Sequence, residues 1–326
     1  MRRYGFLLLW LLCGSAQSLA ADITDATGRT ISLPEQIARV LPAGPPAAVL
    51  LAAVAPDLML GWPSPVSDEA RTFLSPEAAR LPQVPRLTGR EDVADKVHGL
   101  KPDLIVDYGS VSARYAELAR ATQYRTGIPT LLLDGSLTEI PHTLRLLGSV
   151  LHRETRAAAV ADFAQTLLAL PTNTGKHPRV LCARGADGLS VVAPGTDLAE
   201  IFTRLGWTVV APDGHGALRQ ARFDEIRTLD PDILILSDPA MRETLATSAE
   251  WRSLRAVHEG HALIAPSLPF GWLNEPPSIN RLLGLAWLSG RDPLELATSF
   301  NKVVYGRVLT APQLRTLLAD TRQFRP

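Results

Sequence analysis

Three absences narrow the classes of protein to which this chain can belong. Of only two cysteines, Cys182 alone lies beyond the first twenty residues, so an internal disulfide is excluded there and Cys182 is expected in the core. Basic and acidic residues number 33 each, so no excess of positive charge favours binding to nucleic acid or to an anionic membrane. Beyond residue 20, no apolar run is long enough to span a bilayer.

Short motifs of the common enzyme classes are also missing. The chain has no G-x-S-x-G elbow, no Walker loop, no G-x-G-x-x-G and no H-E-x-x-H. His258 and His261 have the spacing of a metal-binding pair, but they bracket a predicted turn and no third ligand is nearby. We therefore predict no catalytic residues and no bound metal ion.

The first twenty residues predict a cleaved secretory signal. Two arginines at positions 2 and 3 precede an apolar run over residues 6–12, and small residues end at Ala20. The apolar run is shorter than the ~20 residues that a permanent membrane helix needs. Two leucines directly before Cys13 are a poor match to a lipidation signal, so we favour cleavage after Ala20 over lipidation of Cys13.

The most informative positive feature is a repeat within the chain. Residues 95–107 and 224–236 follow the same pattern. Each begins with an aspartate at the start of an amphipathic segment, continues with a Pro-Asp pair and ends with an apolar run. Asp95 and Asp224 each stand seven residues before the proline. The two copies are much farther apart than solenoid repeats, so the pattern indicates two similar α/β lobes and not an array. Such proteins usually carry their function in the cleft between the lobes.

Strand and helix patterns alternate along the chain, which predicts parallel sheets and the α/β fold class. Apolar runs that include 104–106 and 233–236 predict strands that are buried on both faces of the sheet. Residues 154–170 are rich in alanine and contain no glycine or proline, which predicts a stiff helix. The predicted organisation is an N-terminal lobe over 21–136, a helical linker over 137–170 and a C-terminal lobe over 171–326.

Six residues near the ends of predicted strands are candidate ligand contacts. Ligands of parallel sheets lie beyond the carboxyl ends of the strands, so side chains at that edge converge on one site. Aromatic side chains there would pack on a ligand, and arginines would pair with its negatively charged oxygen atoms. The candidates are Trp62, Arg90, Tyr108, Arg184, Trp272 and Asn274.

Several segments resemble the periplasmic binding proteins for ferric siderophores, haem and cobalamin, the class III proteins with a helical backbone. The resemblance covers essentially the whole mature chain, because the order and the spacing of the similar segments both match. These segments are residues 25–29 followed by 39–40, then 100–105, 147–148 and 301–306. Residues 276–284 are also similar to members that handle iron complexes or oxyanions such as molybdate.

The resemblance implies two Rossmann-like lobes with parallel sheets, joined by a single long interdomain helix. It also implies a ligand between the lobes and, as partner, the permease dimer of an ABC importer. Related proteins carry an acidic residue on each lobe that meets arginines of the two permease subunits. The matching positions here are Asp95 and Asp224, with Glu91, Asp92 and Glu225 as close substitutes.

We therefore predict a monomeric periplasmic solute-binding protein that delivers an iron complex of siderophore or haem type, without a cofactor or a nucleic-acid partner. A cobalamin or oxyanion carrier is the alternative within the same class. An extracytoplasmic enzyme that uses the interlobe cleft, and an accessory protein that binds a receptor and no small molecule, are the alternatives in other classes. Because the linker lacks glycine over 154–170, we expect only a modest hinge motion between the lobes.

Overall fold

The computed structural model describes residues 21–87, 94–171, 175, 177–319 and 323–324. The first half of the chain contains β1 (Ala21–Thr24), β2 (Thr30–Leu33), β3 (Val40–Pro42), α1 (Pro45–Val54), α2 (Asp68–Arg71), α3 (Pro76–Arg80), α4 (Ala94–Leu100), β4 (Leu104–Gly109), α5 (Ala113–Thr126), β5 (Thr130–Asp134), α6 (Ile140–Val150) and α7 (Glu154–Leu168).

The second half contains β6 (Arg179–Arg184), β7 (Ser190–Val192), α8 (Glu200–Arg204), β8 (Thr208–Val209), β9 (Leu218–Gln220), α9 (Phe223–Leu229), β10 (Ile233–Leu236), α10 (Met241–Thr247), α11 (Ala249–Arg252), α12 (Arg255–His258), β11 (Ala262–Ile264), α13 (Arg281–Leu288), α14 (Pro293–Val304), α15 (Ala311–Leu318) and β12 (Gln323–Phe324). None of the helices in the described ranges combines the length and the apolar character needed to cross a membrane.

The N-terminal lobe is built on a parallel sheet with the order β3-β4-β5. A separate hairpin of β1 and β2 precedes it, and Gly28 permits the turn because its φ of 80° is unfavourable for other residues. Residues 58–62 do not form a strand. Met59 makes an isolated parallel bridge to Val40 and Trp62 makes one to Gln83, so this segment only follows the sheet edge.

The C-terminal lobe repeats this arrangement within a larger sheet. Its parallel centre has the order β8-β6-β10-β11. In the N-terminal lobe, the isolated bridge from Met59 to β3 corresponds in position to β8, which pairs with β6. Antiparallel strands extend the sheet on both sides, with β7 and β9 beyond β6 and β12 beyond β11. The predicted α/β fold with two similar lobes is confirmed.

Residues 137–170 contain α6 and α7, and α7 corresponds to the stiff helix that the sequence predicts over 154–170. A turn over 151–153 separates α6 from α7, and His152 adopts a φ of 52° within it. Gly148 of α6 lies directly against Ala157 of α7 and leaves no room for a side chain, which lets the two helices pack closely. Helix α7 connects the lobes and ends at Leu168, two residues before the predicted end.

Polar contacts fix α7 against both lobes. Arg156 donates from Nε to the carbonyl oxygen of Ala53 in α1 at 2.9 Å, and from Nη2 to that of Val304 in α14 at 2.7 Å. A continuous cluster of buried apolar side chains extends from β3 and α1 across α7 to α13 and α14. The carboxyl edges of both sheets face the space between the lobes, which is where a ligand site is expected.

Candidate functional site

A cavity of about 600 Å³ lies between the two lobes. The N-terminal lobe contributes the turn after β3 and the ends of β4 and β5, and the C-terminal lobe contributes the end of β6 and the loops after β7 and β11. The cavity thus opens at the carboxyl ends of strands from both sheets. Its volume is within the range of roughly 300–1,000 Å³ that is usual for sites that bind small molecules.

Arg281 forms a polar clasp between the lobes beneath this cavity. It is 1% exposed and donates from Nη1 to the carbonyl oxygen of Gly135, at 3.0 Å, and from Nη2 to Glu200 Oε2, at 2.9 Å. Both carboxylate oxygens of Glu200 also accept from the backbone N–H of Leu137, at 2.9 and 2.8 Å. The guanidinium charge is therefore neutralised within the protein, and the pair joins the end of β5 to α8 and α13.

Arg184 lies at the end of β6 and lines the cavity from the C-terminal lobe. Its Nε donates to Glu275 Oε1 at 2.7 Å, and the Ser237 hydroxyl donates to the same oxygen at 2.8 Å. The side chains of Arg184 and Glu275 are only 22% and 31% exposed. This arrangement orients the guanidinium before any ligand binds and offsets much of its charge.

Arg86 and Asp107 are the charged pair on the N-terminal side of the cavity. Arg86 is exposed and forms no hydrogen bond or salt bridge with another described residue, whereas Asp107 is only 8% exposed. Asp107 Oδ1 accepts from the backbone N–H of Tyr108 at 3.0 Å. Burial raises the pKa of Asp107, because the desolvation cost exceeds the lowering effects of that hydrogen bond and of the Arg86 charge.

Tyr108 and Asn274 belong to the cavity wall on opposite lobes and are both 2% exposed. Burial raises the pKa of the Tyr108 phenol well above its ordinary value, so the group is neutral at physiological pH. Asn274 donates from Nδ2 to the carbonyl oxygen of Leu198 at 2.9 Å. This bond ties the loop after β11 to the loop after β7 and leaves Oδ1 without a donor among the described residues.

The family model for periplasmic binding proteins matches residues 52–268, more than half of the chain. The chain belongs to the periplasmic binding protein family. A search of curated protein sequences found no match.

Solved structures of similar proteins share the fold of this periplasmic binding protein over most of its length. An ABC transporter solute-binding protein from Sulfurospirillum deleyianum DSM 6946 is 24% identical, with a TM-score of 0.80 over 91% of this chain and 99% of that chain. A periplasmic solute-binding protein from Veillonella parvula DSM 2008 is 21% identical, with a TM-score of 0.69 over 92% and 98%. The molybdate periplasmic binding protein MolA from Haemophilus influenzae is 14% identical, with a TM-score of 0.67 over 89% and 99%.

The structure brings three of the six candidate ligand residues to the cavity of this periplasmic binding protein, namely Tyr108, Arg184 and Asn274. Trp62 and Trp272 lie in the hydrophobic core instead, at 2% and 0% exposed. The indole N–H of each donates to a nearby carbonyl oxygen, that of Ala78 at 2.9 Å and that of Leu268 at 3.2 Å respectively. Arg90 lies outside the described residues.

The two candidate docking residues are exposed, and each is the second residue of its helix. Asp95 belongs to α4, and Asp224 belongs to α9, where its carboxylate accepts from Arg222 Nε at 3.2 Å. Glu225 caps the same helix by accepting from the backbone N–H of Arg222 at 2.8 Å. Glu91 and Asp92 lie outside the described residues.

Sequence reasoning missed four charged residues of the cavity wall, which are Arg86, Asp107, Asp197 and Arg281. Asp107 closes the first copy of the repeat at the end of a predicted strand, so its position was a signal for a site residue. Arg281 lies in the segment 276–284 that carries part of the family resemblance. Arg86 lies in an irregular segment between α3 and α4, and no local pattern marks it.

Neither a metal-binding cluster nor a reactive thiol is present among the described residues. Within the described residues, no group of three or more histidine, cysteine, aspartate or glutamate side chains could hold a metal ion. Cys182 is buried in β6, as predicted, and burial raises the pKa of its thiol to about 12. A thiol with this pKa is protonated at neutral pH and is therefore a poor nucleophile.

Proposed function

We propose that this periplasmic binding protein is the ligand-binding component of an ABC importer and that it carries an iron complex of siderophore or haem type. The observation that carries the proposal is the cavity of about 600 Å³ that both lobes line at the carboxyl edges of their sheets. A ligand held there touches both lobes at once, so its binding stabilises one arrangement of the lobes that a permease can recognise.

The size of the cavity favours an organic chelate over a bare oxyanion. A tetrahedral anion of five atoms would fill only a small part of about 600 Å³, whereas a chelate of drug-like size fills such a volume. Cobalamin and oxyanions remain the alternative ligands, and the fold is shared with a protein described as bound to molybdate.

The charges around the cavity favour a ligand with a small net negative charge. Arg184 is paired with Glu275 and Arg281 with Glu200, so two of the arginines in the wall are already largely neutralised. Arg86 forms no such salt bridge with a described residue and is the available cation on the N-terminal side. A multiply charged anion would leave most of its charge uncompensated in this environment.

Isothermal titration calorimetry on the mature chain tests the proposal. The probes are a ferric trihydroxamate, a ferric catecholate, haemin, cyanocobalamin and sodium molybdate, each titrated into protein freed of bound ligand. We expect micromolar or tighter binding of a ferric chelate or haemin, and a loss of about 1.5–3 kcal/mol in Arg184→Ala, the range for a hydrogen bond to a charged group. Arg120→Ala is the matched control, because Arg120 is exposed on α5.

The possible outcomes separate the alternatives. Tightest binding of cyanocobalamin or molybdate would assign the cavity to that ligand and overturn the iron-complex proposal. Chemical conversion of a probe, detected by mass spectrometry after incubation, would support an extracytoplasmic enzyme. Absence of binding to every probe would favour an accessory protein that recognises only a receptor.

A further inference from the structure

The unusual feature of the cavity is a guanidinium and a carboxylate that face the same space without meeting. Arg86 and Asp107 both line the cavity, and the field of Arg86 lowers the pKa of Asp107, yet the two side chains form no hydrogen bond or salt bridge with each other. Arg184 and Arg281 on the other lobe differ in this respect, because each is held by a carboxylate at 2.7 or 2.9 Å.

The second oxygen of Asp107 is the unexplained group. Oδ1 accepts from the backbone N–H of Tyr108, whereas Oδ2 accepts no hydrogen bond from a described residue. Asp107 is largely buried, with 8% of the residue exposed. Burial of Asp107 removes part of the solvation of its carboxylate, and a hydrogen-bond donor at Oδ2 restores it. In the wall of a cavity, that donor is the ligand.

We infer that Arg86 and Asp107 form an open ion pair that the ligand bridges, so that they select the chemistry of the ligand. The ligand presents a negatively charged or carbonyl oxygen to Arg86 and an N–H or O–H donor to Asp107 Oδ2. This inference rests on the proposed function and narrows its ligand to a chelate that carries amide, amine or hydroxyl donors beside its acceptor oxygen atoms. A fully deprotonated oxyanion has no donor to offer and is repelled by the carboxylate.

The pH dependence of ligand affinity provides a second measurement of the role of Asp107. The carboxylate must be ionised to accept the hydrogen bond, so affinity is lost as the pH falls through the pKa of Asp107. Because burial raises that pKa, the loss occurs at a higher pH than for an exposed aspartate. The positive charge of Arg86 acts against this increase in the pKa of Asp107. The other titratable groups of the cavity wall are Tyr108, Tyr115, Arg184, Asp197 and Arg281.

Calorimetry with the ferric trihydroxamate, haemin and sodium molybdate as probes tests the open ion pair in wild type, Asp107→Asn and Arg86→Gln. Asparagine keeps Oδ1 as an acceptor for the N–H of Tyr108, so the strand end is preserved while the charge is removed. We expect each variant to bind the donor-bearing chelate about tenfold or more weakly. As the pH is lowered from 8 to about 4, we expect wild-type affinity to fall and that of Asp107→Asn to change little.

Controls keep a structural effect separate from a lost ligand contact. Arg120→Gln removes an exposed guanidinium of α5 away from the cavity wall, and it should leave affinity unchanged. Thermal unfolding of each variant reports on the fold. If Asp107→Asn is unfolded, Arg86→Gln carries the test, because an exposed side chain without a hydrogen bond to any described residue contributes little to stability.

Two results overturn the inference and leave the proposed function intact. The first is equal or tighter binding of the chelate by Asp107→Asn, which would show that the carboxylate only repels the ligand. The second is unchanged affinity in Arg86→Gln. Binding of molybdate alone would overturn the inference together with the iron-complex proposal, and so would a wild-type protein that binds none of the three probes.

Discussion

Asp103 and Asp232 occupy the same position in the two lobes and make the same contact. Asp103 Oδ2 accepts from the backbone N–H of Arg39, the residue before β3, and Asp232 Oδ2 accepts from that of Arg179, the first residue of β6; both distances are 2.8 Å. Each arginine side chain in turn donates to the carbonyl oxygen of the last residue of α4 or α9, at 2.8 and 2.6 Å. The repeated Pro-Asp sequence therefore produces the same set of hydrogen bonds in both lobes.

The equivalence of the two lobes leads to a prediction about the permease. Each of α4 and α9 precedes a parallel strand, so its first turn lies near the carboxyl edge of its sheet, on the side of the cavity. Asp95 and Asp224 are exposed in those first turns. A twofold-symmetric permease dimer would meet one such carboxylate on each lobe.

We predict that Asp95→Lys combined with Asp224→Lys abolishes uptake while ligand affinity and folding remain nearly unchanged. The measurement is transport in proteoliposomes beside calorimetry on the same protein. Glu117→Lys combined with Glu243→Lys is the matched control, because it reverses one exposed charge on each lobe elsewhere. Normal transport by the aspartate double variant would remove the docking role, and lost ligand affinity would assign the two residues to the cavity.

The repeat shows why much of the fold could be predicted from the sequence. Lys101 and Asp230 both have positive φ, 48° and 40°, directly before the proline of the motif, so the repeated letters correspond to a repeated backbone. Apolar runs also identified the central strands correctly, because buried parallel strands are apolar on both faces. These features depend on residues that are close together in the chain.

The cavity wall could be predicted only in part, because the direction of a side chain depends on distant contacts. Trp272 is at a loop position. Its backbone N–H donates to the carbonyl oxygen of Pro266, and its own carbonyl oxygen accepts from the backbone N–H of Gly284 in α13. These two hydrogen bonds hold the backbone so that the indole points into the core. Trp62 is held by pairing of its backbone with Pro82 at 2.8 Å. No local pattern records such pairings, and none marked Arg86.

The buried clasp between the lobes should be essential for stability. We predict that Arg281→Ala lowers the free energy of unfolding by about 3–5 kcal/mol, because it leaves the Glu200 carboxylate without its charged partner. Arg120→Ala breaks the exposed pair with Glu117 and should cost about 0–1 kcal/mol. Urea denaturation followed by tryptophan fluorescence measures both. Equal stability of the two variants would contradict the role of the clasp.

Asp25 should make the N-terminal hairpin sensitive to acid. Burial raises its pKa, but hydrogen bonds from Thr27 and Arg29 outweigh that effect, so its pKa in the folded protein is below the ordinary value. Its contribution to stability is therefore complete above about pH 4 and is lost as the pH falls further. We predict that Asp25→Asn is less stable at pH 7 by about 1.5–3 kcal/mol, the range for hydrogen bonds to a charged group.

Urea denaturation from pH 7 to pH 2 measures this dependence. The stability difference between wild type and Asp25→Asn should shrink as the pH falls below about 4. Asp22→Asn is the control, because Asp22 is exposed in the same hairpin and should give a small difference at every pH. A difference for Asp25→Asn that stays constant down to pH 2 would contradict the assigned ion pair.

The packing of α7 should limit the motion between the lobes. Arg156 ties this helix to α1 and to α14 at the same time, and the Arg281 clasp adds a second connection beside the cavity. We predict that the radius of gyration, measured by small-angle scattering, changes little when ligand binds. Arg156→Ala should enlarge the change. A large decrease in the wild-type radius on binding would show a wide closing motion instead.

The most direct test of a ligand site between the lobes is native mass spectrometry, combined with visible absorption, of the protein purified from its own periplasm. We predict one bound metal chelate per chain, with the absorption of an iron complex, in the wild type. We also predict that Arg86→Gln and Arg184→Ala, purified in the same way, retain much less of that chelate. Wild-type protein that carries no small molecule, or chelate retained equally by both variants, would contradict a ligand site between the lobes.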